Sequence, residues 1–323
     1  LPIDYVQCQM DSTSGTWTDC TASDGAFDEL SETFTCMIIS ALSEAEHVMY
    51  VRSADSSANS SQTSDTFTVD RTPSYINADF PGEGAYIRQQ RPTFKFRASA
   101  GSISQFNSYT MSAQNTDGSG FTIANIPVNA PSIATTRYTI TSSGYGDSND
   151  DNDYIYITTA SSPDWDSGSY DGRLKEGKNS WNMTAHESNG NTVSVGHSFY
   201  VDVTKPQISA ITTSTLGLFE GYLLSTQTKP KVSFTLSDNL IPYKYAVDVY
   251  RQNYVLGIET GRTLVSSESI MPVLGSDQLT INLDFAPQQS LPYGKYLFIM
   301  TGYDKAENTS DIATLSLQLL SQE

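Results

Sequence analysis

LSEAEHVMYVRSADSSAN, residues 42–59, recurs twice without gaps, as LKEGKNSWNMTAHESNGN (174–191) and LPYGKYLFIMTGYDKAEN (291–308). The copies start 132 and 117 residues apart (42 to 174, 174 to 291), and similarity at a fixed long period reports one structural unit per copy. Inside each copy apolar residues alternate: Met49/Val51, Trp181/Met183 and Phe298/Met300. A period of two marks a strand with one face in a core and the other toward water. Tyr50, Asn182 and Ile299, lying between them, form the mixed set expected of an outer face. Ahead of the strand, Leu42, Leu174 and Leu291 are expected to anchor a corner, with Gly177 and Gly294 (Ala45 in the first copy) making its turn. Behind it, the spacings Asp55 to Asn59, Glu187 to Asn191 and Asp304 to Asn308 read as tight turns, because Asp and Asn bond loop backbone and tolerate left-handed geometry. A cation or ligand contact is the second reading of that acid.

Working outward, two more shared stretches set the unit edges. Phe67-Thr-Val-Asp-Arg-Thr-Pro73 and Phe199-Tyr-Val-Asp-Val-Thr-Lys-Pro206 each close a strand and enter the next unit through Pro. Proline cannot donate to a ladder and stiffens the chain, so it suits a joint. Beyond each joint a matching strand is expected, Pro92–Ser99 and Pro230–Ser237, with Phe94/Val232 and Phe96/Phe234 pointing inward. Boundaries therefore fall near 72 and 205. Five residues after each corner Leu come His47, Asn179 and Tyr296, each with a polar handle. That position resembles the tyrosine corner of immunoglobulin-type sandwiches, where a side chain bonds back to the turn. The reading is all-β: three tandem immunoglobulin-like β-sandwich modules over residues 1–71, 72–205 and 206–323, the second with long loop insertions.

Composition agrees. Of 323 residues, 38% are hydrophobic and 17% charged, with 19 Tyr and 13 Phe to fill several modest cores. The net charge of −18 repels nucleic acid and anionic membrane, and no basic stripe reverses it locally. No run of about 18 apolar residues occurs, so no membrane insertion is expected of this segment. The sequence opens at Leu1 without an initiator Met, as expected of a processed or excised piece.

With these motifs in order the chain resembles the bacterial Ig-like repeats of long surface proteins and adhesins. The first module carries the resemblance best, through Cys8-Gln-Met-Asp11, Trp17-Thr-Asp-Cys20-Thr21, Leu42 to His47, Val51-Arg-Ser-Ala-Asp55 with Asn59, and Val69-Asp-Arg-Thr-Pro73. The second and third keep the strand, turn and linker but not the Cys hairpin. The resemblance implies an extracellular or cell-surface location and a structural role in a stalk, filament or adhesin, with neighbouring modules or further copies as partners. In the family the Cys hairpin follows two opening strands, so the first module is expected to lack its opening strands. Either the piece begins inside a module, or another subunit donates a strand to a self-assembling fibre. Cys8 and Cys20 flank the short hairpin and are expected to form a disulfide in an oxidising compartment. Pairings through Cys36 stay open, since three cysteines leave one over.

Candidate chemistry is sparse. Asp147, Asn149, Asp151 and Asp153 alternate as oxygen ligands do in a calcium loop, although the Gly and distal Glu of a full EF-hand loop are missing. A solvated acidic turn is the rival reading. A second acidic run, Asp164 to Asp171, lies near in sequence, and the resemblance implies that the linker acids Asp70 and Asp202 bind Ca2+ at the joints. Tyr145, Tyr154 and Trp165 beside these acids are candidates for stacking on a glycan, with recognition of a surface protein as a variant; core packing is their plainer role. Asn59, Asn182 and Asn308 each fit Asn-x-Ser/Thr. The three His residues (His47, His186, His197) stand in no nucleophile elbow or paired-His motif. No enzyme is expected.

Overall fold

The computed structural model describes residues 1–321 except 73, 100–105, 129–131, 144–153, 162–171 and 273–277. Among the described residues every regular element is a strand. The acidic loop with Asp147, Asn149, Asp151 and Asp153, together with Tyr145 and Trp165, lies outside them.

One three-strand unit recurs three times. The repeated segments form its central strands, Ala45–Asp55, Gly177–Glu187 and Gly294–Asp304. Each is antiparallel to the strand after it: Ser60–Val69, Thr192–Val201 and Ala313–Leu319. Each is also antiparallel to an earlier strand: Ile3–Met10, Phe106–Asn115 and Pro242–Val255. The corner is built as the sequence suggests. Tyr296 Oη donates to Pro292 O (2.6 Å), Asn179 Nδ2 to Lys175 O (2.8 Å), and His47 Nε2 lies 2.9 Å from Ser43 O. Three chemistries thus make one bond to a carbonyl four residues back. Gly177 adopts φ +108°, a region that an L side chain rarely enters, which is why Gly stands there.

In the second and third modules a second sheet covers this unit. In the second module the chain first pairs Tyr75–Phe80 with Thr93–Ser99. Between those two strands it crosses over, so that Tyr86–Ile87 lies parallel to Thr192–Val201. The third repeats the move, with Gln207–Thr213 on Val232–Ser237 and Tyr222–Ser225 parallel to Ala313–Leu319. The inward alternation expected from sequence holds: Phe94, Phe96, Val232 and Phe234 are all buried, as are Trp181, Met183, Phe298 and Met300. Phe94 lies 5.3 Å from Trp181 between ring centres, and Phe285 lies 6.4 Å from Phe298. Each buried side chain of this size contributes about 1.5–3 kcal/mol by leaving water, so these two cores hold most of the stability.

The first module is thinner. Its sheet runs in the order Thr18–Asp19, Ile3–Met10, Ala45–Asp55, Ser60–Val69, and a two-stranded ribbon pairs Thr21–Ala22 with Phe34–Thr35. Among the described residues no second sheet of the kind seen in the other modules packs on it. Its buried core is Val6, Cys8 and Cys20, with Ile3, Phe27, Cys36, Met49 and Val51 half-buried around them. The expected Cys8–Cys20 disulfide is not the one formed. Cys20 pairs with Cys36 (Cα–Cα 4.3 Å) and Cys8 is a buried free thiol. Register explains the outcome. Thr21 opposes Thr35 and Ala22 opposes Phe34, so one step further Cys20 directly opposes Cys36. Cys8 opposes Thr18, and Cys20 N donates to Val6 O, which leaves Cys8 diagonal to Cys20. Diagonal neighbours in a ladder sit farther apart than opposed ones.

Candidate metal centre

The second joint gathers four acids. Asp202 follows strand Thr192–Val201, and its amide donates to Ile87 O (2.9 Å), the last residue of the parallel edge strand. Asp238 follows strand Val232–Ser237 with its amide on Leu279 O (2.9 Å). Asp304 ends strand Gly294–Asp304. Two modules therefore aim carboxylates at one point: one carboxylate oxygen of each residue lies within 4.8 Å of the others. Asp202 and Asp304 are fully buried and Asp238 is 9% exposed.

Asp304 divides its carboxylate between two tasks. Oδ1 accepts the Asn308 amide (2.8 Å), closing the turn expected from sequence. Oδ2 is buried without a hydrogen-bond donor, as are both oxygens of Asp202 and Oδ1 of Asp238. Asp238 Oδ2 accepts the Leu240 amide (2.9 Å). Among the described residues none of the three carboxylates forms an ion pair. The frame around them is firm. Asn308 Nδ2 donates to Asp202 O (2.8 Å), tying the third module's turn to the linker. Glu176 Oε1 accepts the Val203 and Thr204 amides (3.2 and 2.9 Å) and Asn239 Nδ2 (2.9 Å).

Electrostatics follow from this crowding. Burial, then repulsion from Asp238, Asp304 and Glu176, pushes the Asp202 carboxyl up to about 8. Burial also raises Asp238, with Glu176 adding to it, and raises Asp304, with Asp238 adding to it. Glu176 moves the other way: burial opposes ionisation, but the bonds from Thr204, Asn239 and Val203 outweigh it and hold its carboxyl low. Buried carboxylates are stable only when paired, protonated or bound to a metal. All the donors here are oxygen, a set suited to hard cations, and calcium tolerates irregular geometry with six to eight such ligands.

The first joint is built differently. Glu44 occupies the place of Glu176 and does the same work: its Oε1 accepts the Arg71 amide (2.5 Å), and its Oε2 accepts Thr72 Oγ1 (2.9 Å). Arg71, standing where the second joint has Val203, donates a side-chain bond to Leu42 O (2.7 Å). Asp70 corresponds to Asp202, but it is in no cluster of three ligating groups among the described residues. The sequence carries Ala100 where the third module has Asp238, and Glu187 where it has Asp304.

Of the residues singled out in the sequence, Asp202 is thus central and Asp70 stands apart. Tyr154 is half-buried, with Lys95 Nζ 3.8 Å from its ring centre and the Arg97 guanidinium 5.5 Å. Sequence reasoning missed Asp238 and Glu176 and took Asp304 as a turn residue. The available signal was positional. Asp238 immediately follows the strand that matches Pro92–Ser99, and Glu176 lies inside the repeat itself.

No family model matches the chain, and no curated protein matches it. Solved structures to which it is similar include a tetra-tandem repeat from the extending region of a large adhesion protein (16% identity, TM-score 0.31, covering 98% of this chain and 67% of that one). Fibronectin(III)-like modules of Clostridium thermocellum CbhA share 13% identity (TM-score 0.34, covering 76% of this chain and 95% of that one). A 1.5-MDa bacterial ice-binding adhesin shares 14% (TM-score 0.28, covering 98% and 86%). With every one of these TM-scores below 0.5, what those proteins do is not carried over to this chain.

Proposed function

We propose that the chain is an extension segment of an extracellular surface stalk or adhesin, in which a bound divalent cation fixes the joint between the second and third modules. One observation carries the reading: Asp202, Asp238 and Asp304, which hold buried carboxylate oxygens without donors, converge from two modules at the linker. A cation there cancels mutual repulsion and bonds both modules at once, so binding free energy becomes rigidity of the joint. Calcium is the cation that the donor set favours, and the linker amides on Glu176 would keep the ligands in place. The first joint, held by Glu44, Thr72 and Arg71, is metal-independent in this scheme. The proposed module limits are 1–71, 72–205 and 206–323, which place Asp202 on one side of the joint and Asp238 and Asp304 on the other.

Calorimetric titration of the metal-stripped chain with calcium tests the proposal. The expected isotherm includes a site at the second joint that is lost in both Asp202→Asn and Asp304→Asn but kept in Asp70→Asn. Calcium uptake unchanged by the first two substitutions would sink it.

A further inference from the structure

The three cysteines of the first module form a cluster of their own. Their sulfur atoms all lie within 4.8 Å of one another, with Cys20 and Cys36 bonded and Cys8 free. Cys8 and Cys20 lie on the same buried side of their hairpin, 3% and 7% exposed. Cys8 also lines a cavity of about 290 Å³ with Gln9, Met10, Met37, Ile38 and Ile39. The chain just past Cys36 is exposed, with Met37 and Ile39 74% and 88% accessible to solvent. A free thiol thus stands beside a disulfide, one of whose two partners belongs to an exposed segment with space beneath it.

We propose that this cluster is an internal thiol–disulfide exchange site, in which Cys8 takes Cys20 from Cys36. The Cys8 thiol first loses its proton to solvent. Its thiolate then forms a bond to Cys20 Sγ as the Cys20–Cys36 bond breaks, and Cys36 leaves as a thiolate that is reprotonated from water. One disulfide is made and one is lost, so no external oxidant or reductant is required. The product closes the Cys8–Cys20 hairpin and frees residues 34–39 from their tether to Thr21–Ala22. It leaves the new thiol on Cys36, which is half-buried where Cys8 is buried. The first module then has two covalent states differing in whether its apolar 34–39 segment is fastened. Burial pushes the Cys8 thiol up, so exchange is slow at neutral pH and quickens in mild alkali.

The test is a disulfide map of the intact chain after incubation at pH 6 and at pH 9. Samples are quenched in acid, unfolded and alkylated, then cleaved after Trp17 and Phe27, which separates the three cysteines. Molecules with a Cys8–Cys20 bond and alkylated Cys36 are expected, approaching their final fraction at least tenfold faster at pH 9, at a rate independent of protein concentration. Cys36→Ser is expected to form Cys8–Cys20 with no alkylated thiol, and Cys8→Ser to show the Cys20–Cys36 pairing alone. Alkylation at Cys8 alone in wild type at both pH values overturns the proposal, whatever the variants do. A rate that rises with protein concentration also overturns it, because exchange would then run between molecules.

Discussion

Asp304 shows how one side chain can satisfy a local rule and a distant one together. Its Oδ1 closes a turn that any Asp-x-x-x-Asn segment could make, while the carboxylate also gathers with Asp238 of its own module and Asp202 from across the joint. The turn was legible because it repeats at Asp55 and Asp304. The second task stood only as a second reading, because a buried acid is recognised by what surrounds it and part of the surroundings comes from another module. Asp202 was flagged through the linker motif alone. Asp238 carried only a positional signal, as the acid directly after the strand that matches Pro92–Ser99. A pH prediction belongs at this scale. The folded Asp202 carboxyl titrates near 8, above the usual carboxylate range, so the folded chain holds this proton more tightly than the unfolded one. Without metal, stability is therefore lost as pH rises from about 4 to about 8, and the ionised penalty persists above that. In chelator, the wild-type Tm should fall over that window by an amount worth a few kcal/mol, since each tenfold gain in proton affinity corresponds to about 1.4 kcal/mol. Asp202→Asn should flatten the profile and raise the Tm at pH 8. A wild-type Tm that rises steadily from pH 4 to pH 8 in chelator would show that these carboxylates do not repel.

At the scale of elements the repeat was almost fully readable. Corner, central strand and hairpin turn recur with different residues because each needs only a polar handle, an inward alternation and a backbone-capping acid. His47, Asn179 and Tyr296 show how loosely identity is constrained once the role is fixed. Pairing was less readable. The Cys20–Cys36 bond depends on a two-residue ribbon, Thr21–Ala22 with Phe34–Thr35, too short to leave a periodic signal. The central strands also hold the cores. Replacing Phe298, fully buried against Phe285, with Ala leaves a cavity costing about 3–5 kcal/mol. Since the second and third modules have separate buried clusters, the loss should appear in one calorimetric transition and leave the other within a degree. Equal displacement of both transitions would mean that the two modules unfold as one body.

Across the whole molecule, the two joints differ in kind although their linkers share a motif. Both use a Glu from the repeat to hold linker backbone, Glu44 in one and Glu176 in the other. Among the described residues, only the second collects buried, donorless carboxylates from both sides. The sequence pointed to both joints through Asp70 and Asp202, and it could not separate them because the deciding differences, Arg71 for Val203 and Ala100 for Asp238, lie outside the linker acid itself. On the proposed function, the second joint bends more freely until a cation binds there. Small-angle X-ray scattering of the intact chain, in chelator and in millimolar calcium, tests that claim most directly. The account predicts a narrower distribution of overall dimensions with calcium, and no change in Asp202→Asn or Asp304→Asn. Identical scattering of the wild-type chain in both conditions would contradict it.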